Sequence, residues 1–282
     1  FIENFTKDDG TLPAITTSSD LPELSNITIS NDLVLTALSS LRPNSSPGPD
    51  NIHPSFLKRF ADCLCTPLCL LFNLSLKQHL LPLDWKTAII LPTYKGKGSR
   101  NSPKNYRPIS LTSVVCKVLE RIIKTQLTYF LTQSHQLCPH QFGFLQNSST
   151  TDQLLHSTEK WTRILVDDFS LDIIYLDFSK AFDSVPHSKL FHKLSHVGVS
   201  GILLKWIKSY LSSRLQCVRI NKAISPWLPV TSGVPQGSVL DPLLFIIYVN
   251  DLPDYIKFSE IVLYADDCKR HRRLSSSPIS LQ

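Results

Sequence analysis

The stretch Ile261–Val262–Leu263–Tyr264–Ala265–Asp266–Asp267 is an apolar run that ends in two acidic residues. A second stretch earlier in the chain, Ile173–Ile174–Tyr175–Leu176–Asp177, has the same form with one acid at its end. Short apolar runs of this kind are typical of strands buried inside a sheet, where an unpaired carboxylate is energetically costly. We therefore predict two interior strands that carry their acids to one rim of the sheet.

These strand-end acids form a candidate metal site. Side chains alternate along a strand, so Asp177 shares a face with Tyr175, and Asp266 shares a face with Tyr264. If the two strands are neighbours, Asp177 and Asp266 converge and can bind a hard cation such as Mg²⁺. Two such ions about 3.5–4 Å apart promote phosphoryl transfer. The alternative, that the acids are helix caps or loop-end residues, stays open on spacing alone.

The rest of the chain interleaves helical and strand patterns without an internal repeat, which predicts an α+β fold. We place a break between two successive helices at Pro67, because proline lacks a backbone N–H. The predicted helices cover about residues 33–41, 54–66, 67–80, 112–131, 149–165, 187–196, 201–211 and 238–251. The predicted strands cover about residues 87–92, 172–177, 215–230 and 261–267.

Both ends of the chain lack apolar periodicity. We predict an irregular lead-in over residues 1–30 and a disordered basic, Ser-rich tail over residues 269–282. The first residue is Phe1, and the chain contains no Met. We therefore expect this sequence to be a piece of a longer protein.

Basic residues are concentrated between Lys86 and Lys124. This stretch holds nine Lys or Arg against a single acid, Glu120, an excess larger than the net charge of +6 for the whole chain. Release of counterions from a polyanion makes such a stretch a candidate phosphate contact. A solvated basic loop beside a helix is the alternative interpretation.

The cysteines and the apolar runs of the sequence indicate where in the cell the protein is expected. The seven cysteines are odd in number and most lie in apolar or helical contexts, which does not favour a disulfide scaffold. No signal peptide opens the chain, and no apolar run approaches the roughly 20 residues that span a bilayer. We expect an intracellular protein, nuclear or cytoplasmic, that is neither secreted nor inserted in a membrane.

Six short motifs resemble boxes of the reverse transcriptases of non-LTR retrotransposons, in the family's order and over about residues 40–268. Tyr264–Ala265–Asp266–Asp267 resembles the Tyr-Ala-Asp-Asp box, and Asp177–Phe178–Ser179–Lys180–Ala181–Phe182–Asp183 resembles the first catalytic box. Gly233–Val234–Pro235–Gln236–Gly237–Ser238–Val239–Leu240 resembles the template and nucleotide box. The remaining three are Ser46–Pro47–Gly48–Pro49–Asp50, Asn105–Tyr106–Arg107–Pro108–Ile109–Ser110–Leu111 and Gln141–Phe142–Gly143–Phe144.

The resemblance implies a polymerase right hand, of which residues 31–165 form a mostly helical fingers region with a basic loop. Residues 166–268 form the palm, a ferredoxin-like antiparallel sheet backed by helices, and no thumb or endonuclease is recognised. The implied activity is that of an RNA-directed DNA polymerase, which transfers nucleotides from a dNTP to a primer 3′-OH. The implied partners are an RNA template, a DNA primer and dNTPs. A group II intron-type or other cellular reverse transcriptase is a further possibility.

The resemblance also assigns metal ligands. Asp177 and Asp266 would hold two Mg²⁺ ions, with Mn²⁺ as a possible substitute and with help from the carbonyl of Phe178. Asp267 would lie beside them. These three aspartates are the catalytic residues that the family resemblance implies.

Nucleotide and nucleic-acid contacts follow from the same resemblance. Phe182 falls where the family places a bulky gate against a ribose 2′-OH, and a core aromatic is the alternative. Gln236 and Gly237 would line the nucleotide pocket and template path. Arg107, with Lys95 or Lys97, would contact the triphosphate. The nucleic-acid backbone would be contacted by Lys86, Arg100 and Lys104.

Two positions depart from the family pattern. Asp241 stands where the family usually has Gly, and a carboxylate there is expected to distort a turn or repel the template. Asn51 replaces another usual Gly, a milder change because Asn tolerates left-handed backbone. Asp241 motivates an alternative function, that of an inactive transposon remnant which at most binds nucleic acid through residues 86–124.

Overall fold

A computed structural model describes residues 4–12, 22–146 and 148–274 of the chain. Helices and strands interleave in these ranges, as predicted. The helices are α1 (Asn31–Ser39), α2 (Pro54–Arg59), α3 (Ala61–Gln78), α4 (Val114–Gln133), α5 (Thr150–Val166), α6 (His187–His196), α7 (Gly201–Leu211) and α8 (Asp241–Val249). The strands are β1 (Thr87–Tyr94), β2 (Tyr106–Leu111), β3 (Ser170–Asp177), β4 (Arg214–Ile220), β5 (Ala223–Ile224), β6 (Leu228–Val230), β7 (Glu260–Tyr264) and β8 (Asp267–Leu274).

The main apolar core lies among the helices. Residues spaced by three and four along α4, including Leu119, Ile123 and Leu127, are fully buried there. Trp206 and Tyr210 of α7 stack with their ring centroids 5.3 Å apart. The Trp206 indole N–H donates to the Ser75 hydroxyl at 3.0 Å, so the buried ring keeps a hydrogen-bond partner.

One sheet is mixed and contains five strands. Its order is β2–β1–β4–β5, and β6 also pairs with β4. Strands β1 and β4 are parallel, whereas the other pairs are antiparallel. Because β1 and β4 come from opposite sides of the fingers–palm boundary predicted at residue 165, backbone hydrogen bonds join the two regions.

The other sheet has the order β3–β8–β7 and is antiparallel throughout. Its central strand, β8, occupies residues that we predicted to be disordered, so that prediction was wrong for residues 269–274. Two of its cations have partners on neighbouring elements: the Lys269 ammonium donates to the Gln153 side chain, and the Arg273 guanidinium lies over the Phe169 ring. Residues 275–282 of the predicted tail lie outside the described residues.

Strand β3 is an edge strand, so the prediction that it is buried was also wrong. Three apolar side chains near its end are 50%, 64% and 44% exposed: Ile174, Tyr175 and Leu176. The strand hydrogen-bonds to β8 alone among the described residues, and α5 covers only part of its surface. Apolar composition therefore does not identify an interior strand here.

The break predicted at Pro67 is also wrong. Pro67 lies inside α3, and the helices separate at Phe60 instead, whose backbone leaves the helical conformation. Proline removes the hydrogen bond to the carbonyl of the residue four positions earlier. That residue is Cys63, which is exposed and whose carbonyl can therefore bond to water.

The lead-in is irregular where it is described, as predicted, but part of it is packed. Leu24 forms a parallel bridge with Val199, and Ile27 and Ile29 are buried in the core. Residues 1–3 and 13–21 lie outside the described part of the chain. None of the described helices combines the length and the apolar character needed to cross a bilayer.

Matched Ile→Ala substitutions test the different burial of α4 and β3. Ile123→Ala is expected to lower the free energy of unfolding by about 2–5 kcal/mol, because it leaves a cavity in the core. Ile174→Ala is expected to cost less than about 1 kcal/mol, because half of that side chain is already in water. Urea unfolding of both variants measures the difference. Equal losses would contradict the exposed position of β3.

Candidate active site

The predicted catalytic acids meet at one end of the antiparallel sheet. Asp177 is the last residue of β3, and its register partner on β8 is Asp267. Opposite residues on antiparallel neighbours have Cα atoms about 4.5–5.5 Å apart. Asp266 lies in the two-residue connection before Asp267; we call residues 264–267 the acid-bearing turn. Because β8 separates β3 from β7, Asp267 rather than Asp266 stands directly across from Asp177.

The acids repel one another. Burial raises the pKa of Asp266 above its ordinary value, and the neighbouring carboxylates of Asp267 and Asp177 raise it further, against a lowering effect of its own backbone N–H. A bound cation would relieve this repulsion, and carboxylate oxygens are the ligands that hard divalent cations prefer. The residues present therefore fit such an ion. Within the described residues, no three acidic, His or Cys side chains are already gathered closely enough to form a metal site.

The second predicted part of the site is the loop that carries Gln236 and Gly237. The Gln236 side-chain amide donates to the Asp183 carboxylate at 2.9 Å, and the Gln236 carbonyl accepts from the Ser110 N–H at 3.2 Å. Gly237 has φ +97°, and a Cβ there would lie 2.9 Å from the Ser110 carbonyl oxygen. Glycine is therefore required where this loop approaches the end of β2.

The same loop is hydrogen-bonded to the segment that follows Asp177. The Val234 N–H donates to the Phe182 carbonyl at 2.9 Å. The Phe182 ring stacks on Phe245 of α8 with centroids 4.2 Å apart and is half-buried against the core. The two parts of the candidate site are therefore joined through residues 178–185.

A small pocket lies on the Gln236 side of the site. Its walls include Pro108, Ser110, Asp183 and Gln236, and none of the three predicted catalytic aspartates lines it. Burial raises the pKa of Asp183, although hydrogen bonds from Asn4 and Gln236 lower it. The Asp183 side chain orients Gln236.

Five predicted cations lie together at the exposed end of the β1–β2 hairpin, and one lies apart. The five exposed side chains are Lys95, Lys97, Arg100, Lys104 and Arg107. Lys86 precedes β1, roughly 26 Å away along the strand. Its ammonium donates to the Ser209 hydroxyl at 3.3 Å, and its pKa is lowered by burial and then by the charge of Arg214. Lys86 therefore does not join the exposed cluster.

Asp241 is buried at the first turn of α8. Its side chain is 5% exposed, and its Oδ1 has no hydrogen-bond partner among the described residues. Burial raises the pKa of Asp241 well above its usual value, and the negative charges of Glu120 and Asp183 raise it further. A hydrogen bond from the Gly237 N–H and the positive charge of Lys124 act in the opposite direction. The carboxyl group thus lies beneath the Gly237 turn rather than on its exposed side.

Glu120 is a residue of the site that sequence reasoning missed. Its carboxylate is fully buried and accepts from the N–H groups of Val239 and Leu240, at 2.6 and 3.2 Å. It therefore satisfies backbone donors between the Gln236 loop and α8. A sequence signal did exist, because Glu120 is the one acid in the basic stretch and lies on the apolar face of α4.

Asn51 has φ 57°, which confirms that this position needs left-handed backbone and that Asn supplies it. The Asn51 N–H donates to the Gly48 carbonyl at 3.1 Å, within the turn of the predicted entry motif. The departure from the family's usual Gly is therefore accommodated.

Comparison with known proteins identifies the class. A family model described as "Reverse transcriptase (RNA-dependent DNA polymerase)" matches residues 95–270, which is more than half of the chain. The chain therefore belongs to the reverse transcriptase family, whose members are nucleotidyltransferases.

Individual relatives come from non-LTR retrotransposons. The chain is 36% identical to the probable RNA-directed DNA polymerase from transposon BS of Drosophila melanogaster, over 78% of this chain and 24% of that protein. It is 34% identical to the probable RNA-directed DNA polymerase from transposon X-element of the same species, over 81% of this chain and 26% of that protein. It is 29% identical to the RNA-directed DNA polymerase from the mobile element jockey of that species, over 82% of this chain and 26% of that protein. The chain thus spans about a quarter of the length of these relatives.

The raised pKa of the buried Asp241 carboxyl group predicts a pH-dependent stability. The folded state holds this proton more tightly than the unfolded state does, so the contribution of Asp241 to stability decreases as the pH rises above 3.8, its ordinary pKa. Asp241→Asn removes this loss. We expect the free energy of unfolding of the variant to exceed that of the wild type by at least about 1 kcal/mol at pH 8, and by less at pH 4.

Chemical denaturation at both pH values measures this gain. The matched control is Asp32→Asn, an exposed acid in the first turn of α1, which should show no such increase with pH. A gain from Asp241→Asn that is equal at pH 4 and pH 8 would contradict the raised pKa of this buried carboxyl group.

The capping role of Glu120 predicts a second stability effect. Glu120→Ala leaves two backbone donors without their acceptor and should lower the free energy of unfolding by roughly 1–3 kcal/mol. Glu120→Gln keeps one acceptor oxygen and should cost less. Urea unfolding measures both variants, and Glu159→Ala, which removes an exposed acid on α5, is the control. A Glu120→Ala loss no larger than that of the control would exclude the capping role.

Proposed function

We propose that this chain forms the fingers and palm of an RNA-directed DNA polymerase from a non-LTR retrotransposon. The observation that carries the proposal is that Asp177, Asp266 and Asp267 lie at the same end of one antiparallel sheet, within a chain of the reverse transcriptase family. The proposed reaction extends a DNA primer on an RNA template with dNTPs.

The topology of the antiparallel sheet supports a palm assignment. Between β3 and the β7–β8 hairpin the chain forms α6, α7, the strands β4–β6 of the mixed sheet, and α8. Within the antiparallel sheet, β8 lies between β3 and β7. This order is that of the βαββ portion of a ferredoxin-like fold, which is the expected architecture of a polymerase palm. Residues 31–165, with their exposed basic hairpin, are the proposed fingers.

The acid-bearing turn is the proposed metal-binding part. The carboxylates of Asp177 and Asp266 would hold two Mg²⁺ ions, with the carbonyl of Phe178 as a further ligand and Asp267 beside them; Mn²⁺ is an alternative ion. When bound, such ions lower the barrier to attack and stabilise the leaving oxygen. The protein would contribute carboxylate oxygens from the end of β3 and from the acid-bearing turn, and these would draw together when the ions bind.

The reaction forms one bond and breaks another. The primer 3′-oxygen attacks the α-phosphorus of the dNTP, its proton passes to solvent, and the bond to the β-phosphate breaks with release of pyrophosphate. Arg107, with Lys95 or Lys97, would neutralise the triphosphate through charge-assisted hydrogen bonds. Arg100 and Lys104, on the same exposed hairpin, would contact the nucleic-acid backbone, a role that the half-buried Lys86 fills less readily.

The loop that carries Gln236 is the proposed nucleotide and template contact. Asp183 orients the Gln236 side chain beside the small pocket, and Gly237 lets the backbone approach β2. Phe182 is half-buried, which leaves part of the ring available as a gate against a ribose 2′-OH.

A second candidate function is binding of nucleic acid without catalysis. The exposed cations of the β1–β2 hairpin favour it, because none of them forms a salt bridge within the described residues. Such binding would weaken steeply with salt, as expected for release of counterions.

Primer extension decides between the two candidates. The chain is incubated with an RNA template, an annealed DNA primer, dNTPs and Mg²⁺, and Asp266→Asn should reduce extension by roughly 10³-fold. Asp254→Asn, an exposed acid away from the turn, should leave the rate unchanged.

Equal extension by the wild type and the Asp266→Asn variant would refute the assignment of the site. Salt-dependent binding of RNA without extension by the wild type would favour the second candidate.

A further inference from the structure

A segment distant in sequence lies beside the acid-bearing turn. Residues 138–144 run along β7 on the side away from β8. The Leu263 N–H donates to the His140 carbonyl at 2.8 Å, and the Phe142 N–H donates to the Leu263 carbonyl at 2.9 Å. The outer edge of β7 is therefore paired with backbone where the strand approaches the turn.

Gln141 connects this segment to the turn through its side chain. Its Oε1 accepts from the Gly143 N–H at 2.7 Å and from the Ala265 N–H at 2.9 Å. The side chain is only 4% exposed, so water competes little for these hydrogen bonds. A flipped amide would place its NH₂ group against two N–H donors, and the two bonds therefore fix its orientation.

The residue that Gln141 holds has an unfavourable backbone conformation. Ala265 has φ 55°, in the left-handed region that side chains other than glycine adopt at a cost. It directly precedes Asp266 and Asp267, so its conformation sets the direction of both carboxylates. A hydrogen bond to its N–H offsets part of the cost and restricts alternative turns.

Gly143 supplies an independent indication of this close approach. A Cβ at Gly143 would lie 2.4 Å from the Ala265 nitrogen, which is shorter than any normal contact. The segment therefore packs against the turn backbone at a distance that only glycine permits.

We propose that Gln141 is a positioning residue of the polymerase site. It touches neither nucleotide nor metal; it acts through Ala265 by holding the turn in the geometry that presents Asp266 and Asp267. This inference rests on the proposed function. It predicts that loss of the Gln141 oxygen slows the chemical step without weakening the binding of dNTP.

The test uses two substitutions at Gln141 and one control. Gln141→Leu keeps the approximate size and removes the acceptor, and kcat for primer extension is expected to fall about 10²-fold. The KM for dNTP should stay within about threefold, as for an interaction that acts in the transition state. Gln141→Glu keeps an acceptor oxygen and should recover most of kcat. Gln133→Leu, at an exposed position near the end of α4, should behave as wild type.

Hydrogen exchange of the Ala265 amide, followed by NMR on protein labelled with ¹⁵N-alanine, tests the contact without catalysis. The amide should be protected in the wild type and in Gln133→Leu, and should exchange faster in Gln141→Leu. Unchanged exchange would overturn the inference.

An unchanged kcat for Gln141→Leu would also overturn the inference, as would a fall in kcat matched by an equal rise in KM. A wild-type chain that does not extend primers would instead count against the proposed function, and the exchange measurement would then decide the contact by itself.

Discussion

Backbone pairing of β8 with two other strands determines the arrangement of the candidate site. The strand hydrogen-bonds to β3 on one side and to β7 on the other, so the turn that starts it lies beside the end of β3. Without this double pairing, Asp177 would have no fixed relation to Asp266 and Asp267. The short connection between β7 and β8 then makes the left-handed backbone of Ala265 necessary, and the contacts of Gln141 and Gly143 follow from that need.

Local patterns in the sequence predicted most of the elements. Helices α6 and α7 begin and end at the predicted residues, and the apolar spacing of α4 matches its buried face. The acids were expected at strand ends; Asp177 ends β3 and Asp267 begins β8, whereas Asp266 lies in the connection between β7 and β8. These features depend on residues a few positions apart, where hydrophobic periodicity and turn-forming residues carry the information.

Features that depend on distant partners were not predicted. Strand β8 is highly basic, and its central position becomes understandable only once α5 and Phe169 supply partners for Lys269 and Arg273. Glu120 caps a backbone segment 119 residues away, and Gln141 binds one 124 residues away. The roles of Gln236 and Phe182 came from the family resemblance rather than from periodicity. No local pattern specifies which distant atoms will meet.

The exposed edge of β3 has a consequence for the behaviour of the chain in concentrated solution. Its outer backbone groups are unpaired within the described residues, and apolar side chains flank them. Edges of this kind readily accept a strand from another molecule, and the stretch between Asp172 and Asp177 carries none of the charged residues that usually prevent such pairing. Molecules of this chain are therefore expected to associate edge to edge as their concentration rises, in the manner that precedes aggregation.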